Sequence, residues 1–229
     1  MHTDPLLFDH PGFQVHQCTR ETCRLRFSVQ VGDLQGRRCP LCRAPAAAVG
    51  QPYGRQTVRP AEVQAVGPEL EVLLDNIRSA WNVGSMLRSA DGAGVRRVHL
   101  CGVSATPDNP KVAKTALGAE RSMPWQHAPD AVTLAQSLKD AGMRLWALEG
   151  GARAVSLFDL QPEFPGPPLA LAVGNELTGV DPGVLALCER VVSLPMAGIK
   201  GSLNVAVAYG IAIYYIRYGS CRPFDQGQL

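Results

Sequence analysis

Asp75-Asn76-Ile77-Arg78-Ser79-Ala80-Trp81-Asn82-Val83-Gly84-Ser85-Met86-Leu87-Arg88 follows the apolar run Leu-Glu-Val-Leu-Leu at 70–74. An apolar run that breaks into polar turn residues and resumes at helical spacing is a strand feeding a helix. Asn82 can cap that helix, with Val83, Met86, Leu87 and Ala90 at i, i+3, i+4 and i+7 on its inner face. Arg88 lies six residues in, and the small Gly84 and Ser85 beside it leave room for a ligand near the backbone. The N–H groups at the helix start can hold an anion such as a phosphate.

The alternation continues downstream. A strand is expected over 97–101 (RVHLC). Asp130 caps a helix with Ala131, Leu134, Ala135 and Leu138 on one face and Gly142 just past its end. Runs 145–148 and 169–173 are near-continuously apolar, as in strands buried on both faces. Asp181-Pro182 opens a helix to about 189, and 191–194 is a last strand. Ser202 caps a helix to about 218, apolar nearly all round and therefore expected to be buried. The predicted fold class is α/β, a mostly parallel sheet with helices on both faces.

Two further loops sit where strands meet helices, the place where open α/β sheets bind ligands. Val173-Gly174-Asn175-Glu176-Leu177-Thr178-Gly179 ends a buried strand, and its glycines could let the backbone approach a flat ligand. It is not the Gly-x-Gly-x-x-Gly pattern, and by itself it equally reads as an ordinary turn. Leu194-Pro195-Met196-Ala197-Gly198-Ile199-Lys200-Gly201-Ser202-Leu203-Asn204 joins a strand, a proline-containing loop and a helix start.

The first 45 residues differ in kind. Cys18 and Cys23 are followed by Cys39-Pro40-Leu41-Cys42, the arrangement by which two turns present four thiolates to a tetrahedral Zn²⁺. Two disulfides, four unrelated thiols, or His16 replacing one sulfur are the alternatives. Cys101, Cys188 and Cys221 stand apart and read as small buried hydrophobes. A segment this small has little core, so a structural Zn²⁺ would supply its folding energy. Arg20, Arg24, Arg26, Arg37, Arg38 and Arg43 surround the cluster. With Phe27 they could grip phosphates and stack a base, Arg24, Arg37 and Arg38 being the candidates carried forward. A ribbon that contacts only protein is the competing reading. The expected organisation is a zinc-ribbon-like domain at 1–45, a Pro/Gly/Ala-containing linker at 46–62 and the α/β domain at 63–229.

Of the 229 residues, 22 are Lys or Arg and 20 Asp or Glu, a net charge of +2. The first 60 residues hold 8 of those cations and 4 of the anions, a local net of +4 that suits a polyanion partner. Hydrophobic content of 46% with 18% charged residues excludes a disordered chain. The start, MHTDPLLFDHPGF, has neither a cationic region nor an apolar run, and 203–216 is too short to span a bilayer. A cytoplasmic protein without a membrane partner is expected.

Asp-Asn-Ile-Arg-Ser, Asn82 with Arg88 six residues on, Gly174-Asn175-Glu176, Leu194-Pro195-Met196 and Ser202-Leu203-Asn204 occur here in order. Lys114-Thr115-Ala116-Leu117-Gly118-Ala119-Glu120 lies between them. Together, over about 70–218, they resemble the SpoU/TrmH branch of the SPOUT methyltransferases, which methylate RNA ribose with S-adenosylmethionine. The resemblance implies a C-terminal trefoil knot, a homodimer whose active site uses both chains, and tRNA or rRNA as substrate. It implies Arg88 as the catalytic residue, supported by Asn82, Glu176, Ser202 and Asn204. It implies a cofactor held by Leu148, Glu149, Gly150, Gly174, Asn175, Leu194, Met196, Ser202 and Leu203, with Asn76, Arg78 and Lys114 on the RNA side. Read from spacing alone, Arg88 would be a surface salt-bridge residue. A silent RNA-binding protein, or a SPOUT enzyme acting on a base nitrogen, are the alternative functions.

Overall fold

The computed structural model describes residues 12–54, 67–160 and 166–219. The chain divides into two compact units, Met1–Val63 and Gln64–Leu229.

The first unit is a three-stranded antiparallel sheet. Its central strand β1 (Phe13–Cys18) pairs with β2 (Arg26–Gln30) on one side and β3 (Ala46–Tyr53) on the other. The linker expected from residue 46 therefore begins as a strand, because Ala46–Ala48 complete the ladder opposite His16–Cys18. The rest of that stretch, residues 55–62, lies outside the described residues, as does Cys221. The two cysteine turns close alike: Arg24 donates its N–H to the Arg20 carbonyl and Arg43 to that of Cys39, and both arginines, each just after a cysteine, take left-handed backbone (φ 49° and 61°).

The second unit is a seven-stranded, all-parallel sheet. Its strands are β4 (Leu70–Asp75), β5 (Arg97–Cys101), β6 (Trp125–Ala128), β7 (Arg144–Leu148), β8 (Val155–Ser156), β9 (Leu169–Val173) and β10 (Arg190–Ser193), in the spatial order β6-β5-β4-β9-β7-β10-β8. The central β4 and β9 are buried throughout, which is why they read as continuous apolar runs. Helices α1 (Ala80–Ala93) and α6 (Val205–Tyr218) supply Met86, Leu87, Tyr209 and Ile213 to the core on one face of the sheet. The opposite core is covered by α4 (Ala131–Asp140) and α5 (Pro182–Leu187) through Ala135 and Val184. Short helices α2 (Pro110–Ala116) and α3 (Ala119–Ser122) lie beside α1.

Two helix starts differ from the sequence reading. Ser79, not Asn82, caps α1, accepting the Asn82 N–H, and Asn204, not Ser202, caps α6, accepting from Ala206 and Val207. Each region offers two cap-forming side chains within three residues, so composition does not choose between them. Helix α6 buries Tyr209, Ala212, Ile213 and Ile216 but leaves Val207, Ile211 and Tyr214 exposed, so within one chain it is only half covered. Under the sheet, Glu71 on β4, His99 on β5 and Gln126 on β6 are joined through the His99 ring at 2.6 and 2.9 Å. Burial lowers the His99 pKa against the pull of Glu71. No helix among the described residues is long and apolar enough to cross a membrane.

Candidate functional site

The three loops after β7, β9 and β10 converge on a cleft of ≈ 360 Å³ at the carboxyl ends of their strands. Leu148, Glu149, Gly150, Gly174, Asn175, Glu176, Leu194, Met196, Ser202, Leu203 and Asn204 all line it. Val173, Leu177, Gly179 and Gly201, within the quoted loops, also line it, as do Ser193, Val205 and Ala208, which the sequence did not single out. Its walls alternate bare backbone at the glycines with aliphatic side chains. That suits a flat, partly polar ligand held by main-chain groups.

The glycines act differently from the sequence expectation. A Cβ on Gly174 would collide with the backbone of Gly179 and Val180, so this glycine closes the 174–180 hairpin upon itself. That hairpin is held by reciprocal N–H···O bonds between Asn175 and Gly179 (3.0 and 2.9 Å). Asn175 donates its amide to the Asn76 carbonyl at 2.8 Å, tying the loop after β9 to the loop after β4. Glu149 accepts from the N–H of Val180 at 2.9 Å and thus ties in the loop after β7. Buried Asp75 adds another tie, accepting from Asp181 N and Asn76 Nδ2 at 2.8 and 2.7 Å. Burial pushes its carboxyl pKa up, although both donors oppose the shift. Gly84 leaves no ligand space either: its Cβ would strike Thr115 and the Val112 carbonyl, so it lets α2 pack on α1.

At the edge of the cleft Glu176 organises the start of α1. Its carboxylate accepts from Arg78 N (2.9 Å), Ser79 N (3.2 Å) and Asn82 Nδ2 (2.9 Å). Burial raises its pKa, but the Arg78 N–H, its own N–H, the Asn82 amide and the Ser79 N–H outweigh burial and hold it below the usual carboxylate value. The carboxylate thus takes N–H groups just before α1, while at the helix start the Asn82 N–H goes to Ser79 Oγ and the Val83 N–H to the Ser79 carbonyl, so these two do not await a phosphate. Asn82 Oδ1 in turn accepts from Asn204 Nδ2 at 3.3 Å, which links the first turn of α1 to the cap of α6.

Other expected residues lie apart from that cluster. The Arg88 side chain is exposed on α1, with no hydrogen bond or ion pair to another described residue, and it does not line the cleft. Ser202 lines the cleft without capping a helix. The Asn76 side chain is engaged internally, donating to Asp75 and accepting from Val103 N, which fixes its left-handed turn rather than leaving it open to RNA. The Arg78 side chain is exposed, and Lys114 sits 5.7 Å from the Trp81 ring centroid. Ser104, also missed, is buried and takes the Ile77 N–H while donating to the Leu74 carbonyl. It stiffens the loop after β4 from 27 residues away, with no local signal in the sequence.

In the first unit the sulfurs of Cys18, Cys23, Cys39 and Cys42 all lie within 4.8 Å of one another. Cys18–Cys42 and Cys23–Cys39 are 3.5 and 3.7 Å apart, far beyond a disulfide bond, and the cysteines are free. Tetrahedral Zn²⁺ with bonds of about 2.3 Å requires sulfur–sulfur edges of about 3.8 Å. The four thiols therefore match the ion in number and spacing. His16 is absent from the set. Arg24, Arg37 and Arg38 are exposed around it, and Arg38 donates to the Arg43 carbonyl at 3.2 Å.

Comparison with known proteins agrees with this geometry. Residues 69–214 match the model of the SpoU rRNA Methylase family, which is more than half of the chain. The chain belongs to the SpoU family. Among relatives of this SpoU domain, the 23S rRNA (guanosine-2'-O-)-methyltransferase RlmB of Burkholderia is 34% identical over 148 residues, 65% of this chain and 58% of that protein. The RlmB of Vibrio parahaemolyticus is 32% identical over 63% of this chain and 57% of its own. The chain thus matches little more than half the length of these relatives. The SpoU methyltransferase AviRb from Streptomyces viridochromogenes, solved in complex with AdoMet, superimposes with a TM-score of 0.57 at 28% identity, covering 77% of this chain and 69% of that one. A TrmH/SpoU tRNA-modifying enzyme from A. aeolicus gives 0.56 at 25% identity, over 65% and 73%. The SpoU assignment covers the parallel sheet and the cleft but not the cysteine unit.

Proposed function

We propose that this SpoU-family protein methylates a ribose 2′-OH of tRNA or rRNA with S-adenosylmethionine. The observation that supports this reading best is the Glu176–Asn82–Asn204 chain at the edge of the glycine-lined cleft formed after β7, β9 and β10. Leu148, Leu194, Met196 and Leu203 offer apolar walls to the cofactor, and Gly150 and Gly201, with open space beside them, offer bare backbone to its flat ring. Bound there, S-adenosylmethionine supplies a methyl group already activated by its sulfonium.

The ribose hydroxyl is the poor partner, so the chain's own residues must orient it and manage its proton. Glu176 and Asn82 fix the start of α1, and Arg88, on that same helix, presents its guanidinium to the RNA. There Arg88 either fixes the ribose as a cation or, having passed its own proton to solvent, takes up the 2′-OH proton. Ser202, at the cleft wall, contacts both cofactor and ribose in this reading.

Four further parts go with it. The exposed Val207, Ile211 and Tyr214 face of α6 meets a second copy of the chain in a homodimer. The C-terminal half is tied in a trefoil knot. One structural Zn²⁺ is held by Cys18, Cys23, Cys39 and Cys42, in a ribbon whose arginines meet RNA phosphates. The protein works in the cytoplasm.

A silent RNA binder has no use for the cleft. Full-length protein should therefore be stabilised against heat by S-adenosylhomocysteine, and the absence of any shift at saturating concentration would favour the silent binder. Metal analysis of protein prepared under reducing conditions should find one zinc per chain. A preparation that is folded and contains no metal would remove the zinc proposal.

A further inference from the structure

We propose that the exposed indole of Trp81 is a stacking platform for an unpaired RNA base beside the nucleotide presented to the Asn82–Glu176 cluster, with Lys114 holding the same strand's phosphate. The inference rests on the proposed RNA substrate and adds a contact that positions it.

Trp81 is 46% exposed, whereas Trp146 in the sheet is 5% exposed. An indole left in water directly before Asn82 contributes little to the core. Its place follows from helical geometry. Trp81, Ser85 and Arg88 stand at i, i+4 and i+7, one strip of α1. Gly84 faces α2 on one side of that strip, and Asn82 faces the cap of α6 on the other. Trp81 and Arg88, exposed on one strip, can therefore meet one strand of RNA.

The platform is stiff. The Trp81 carbonyl accepts both the Thr115 hydroxyl at 2.9 Å and the Ser85 hydroxyl at 3.0 Å, so α2 braces the first turn of α1. That bracing depends on Gly84, which admits α2. Lys114 rests against the ring, 5.7 Å from its centroid, and exposed Lys111 lies one turn away on α2. Lys114 is the cation placed against the ring, and exposed Arg78 and Arg88 stand three residues before and seven after Trp81 in the chain. An exposed aromatic surface with a cation resting on it complements a strand that carries a π-face and a negative charge at each nucleotide. An apolar protein surface would have to desolvate those cations without pairing them.

The test uses full-length protein, Trp81→Ala, Trp81→Phe and Lys114→Ala, with a mixed-sequence single-stranded RNA 20-mer as probe and no cofactor present. Trp81→Ala should weaken RNA binding about 5- to 150-fold, the range spanned by base–aromatic stacking, and Trp81→Phe should retain most of the affinity. Lys114→Ala should lower affinity and flatten its salt dependence. RNA should quench indole emission in the wild type and much less in Trp81→Phe. Stabilisation by S-adenosylhomocysteine should be unchanged in all three variants, which separates a lost RNA contact from a misfolded cleft. Wild-type affinity and quenching in the variants would overturn the proposal. Loss of self-association in Trp81→Ala would also overturn it, since a second chain would then cover the indole. Because the probe is read without methyl transfer, RNA stacking on Trp81 with no transfer to ribose would count against the proposed activity and leave this inference standing.

Discussion

Glu176 and Arg88 make opposite kinds of contact, and the difference predicts how their variants should separate. Glu176 bonds three donors at the start of α1. Glu176→Gln puts an amide hydrogen where an acceptor is needed, and it removes a negative charge from a helix N-terminus. It should lower the melting temperature by about 2–4 °C, as losing a cap worth ~1 kcal/mol does in a domain of this size. Methyl transfer should fall with it, because Asn82 loses its orienting partner. Arg88 loses no described contact when truncated. Arg88→Ala should keep the melting temperature and the response to S-adenosylhomocysteine while turnover drops by about 100-fold or more, the range of a lost proton-transfer group. Near-normal turnover in Arg88→Ala would remove it from the chemistry.

Elements were legible wherever local chemistry alone decides them. The strands at 97–101 and 169–173 fall on the residues expected, and the Asp130 and Asp181-Pro182 caps begin α4 and α5 as read. Short pieces escaped: β6, β8, α2 and α3 span two to seven residues, too few for a period to declare itself. The starts of α1 and α6 were misread for a different reason. Asn82 is held by Glu176, 94 residues away, and by Asn204, 122 residues away. Nothing near Asn82 in sequence reports those bonds. The roles of Gly84 and Gly174 were hidden likewise. Each was read as space for a ligand, and each instead admits a neighbouring stretch of this same chain, α2 in one case and the 179–180 backbone in the other. The loops lining the cleft were legible as loops after strands. The distant hydrogen bonds that hold them in one place were not.

At the scale of the molecule, the two units divide the work in this account. The parallel sheet carries the cleft and the polar cluster, and the cysteine unit carries six exposed arginines around four clustered sulfurs. Family membership rests on the first unit's companion sheet, residues 69–214, and leaves the ribbon outside the match. The central claim is ribose methylation, and it is tested most directly by following the methyl group. Full-length protein would be incubated with S-adenosylmethionine carrying a labelled methyl and with unmodified tRNA and rRNA transcripts, and the RNA then digested to nucleosides and separated. Label is expected in a 2′-O-methylnucleoside, at a position that resists alkaline cleavage because its 2′-OH is blocked. Label on a base nitrogen, or no label in protein that S-adenosylhomocysteine stabilises, would contradict it.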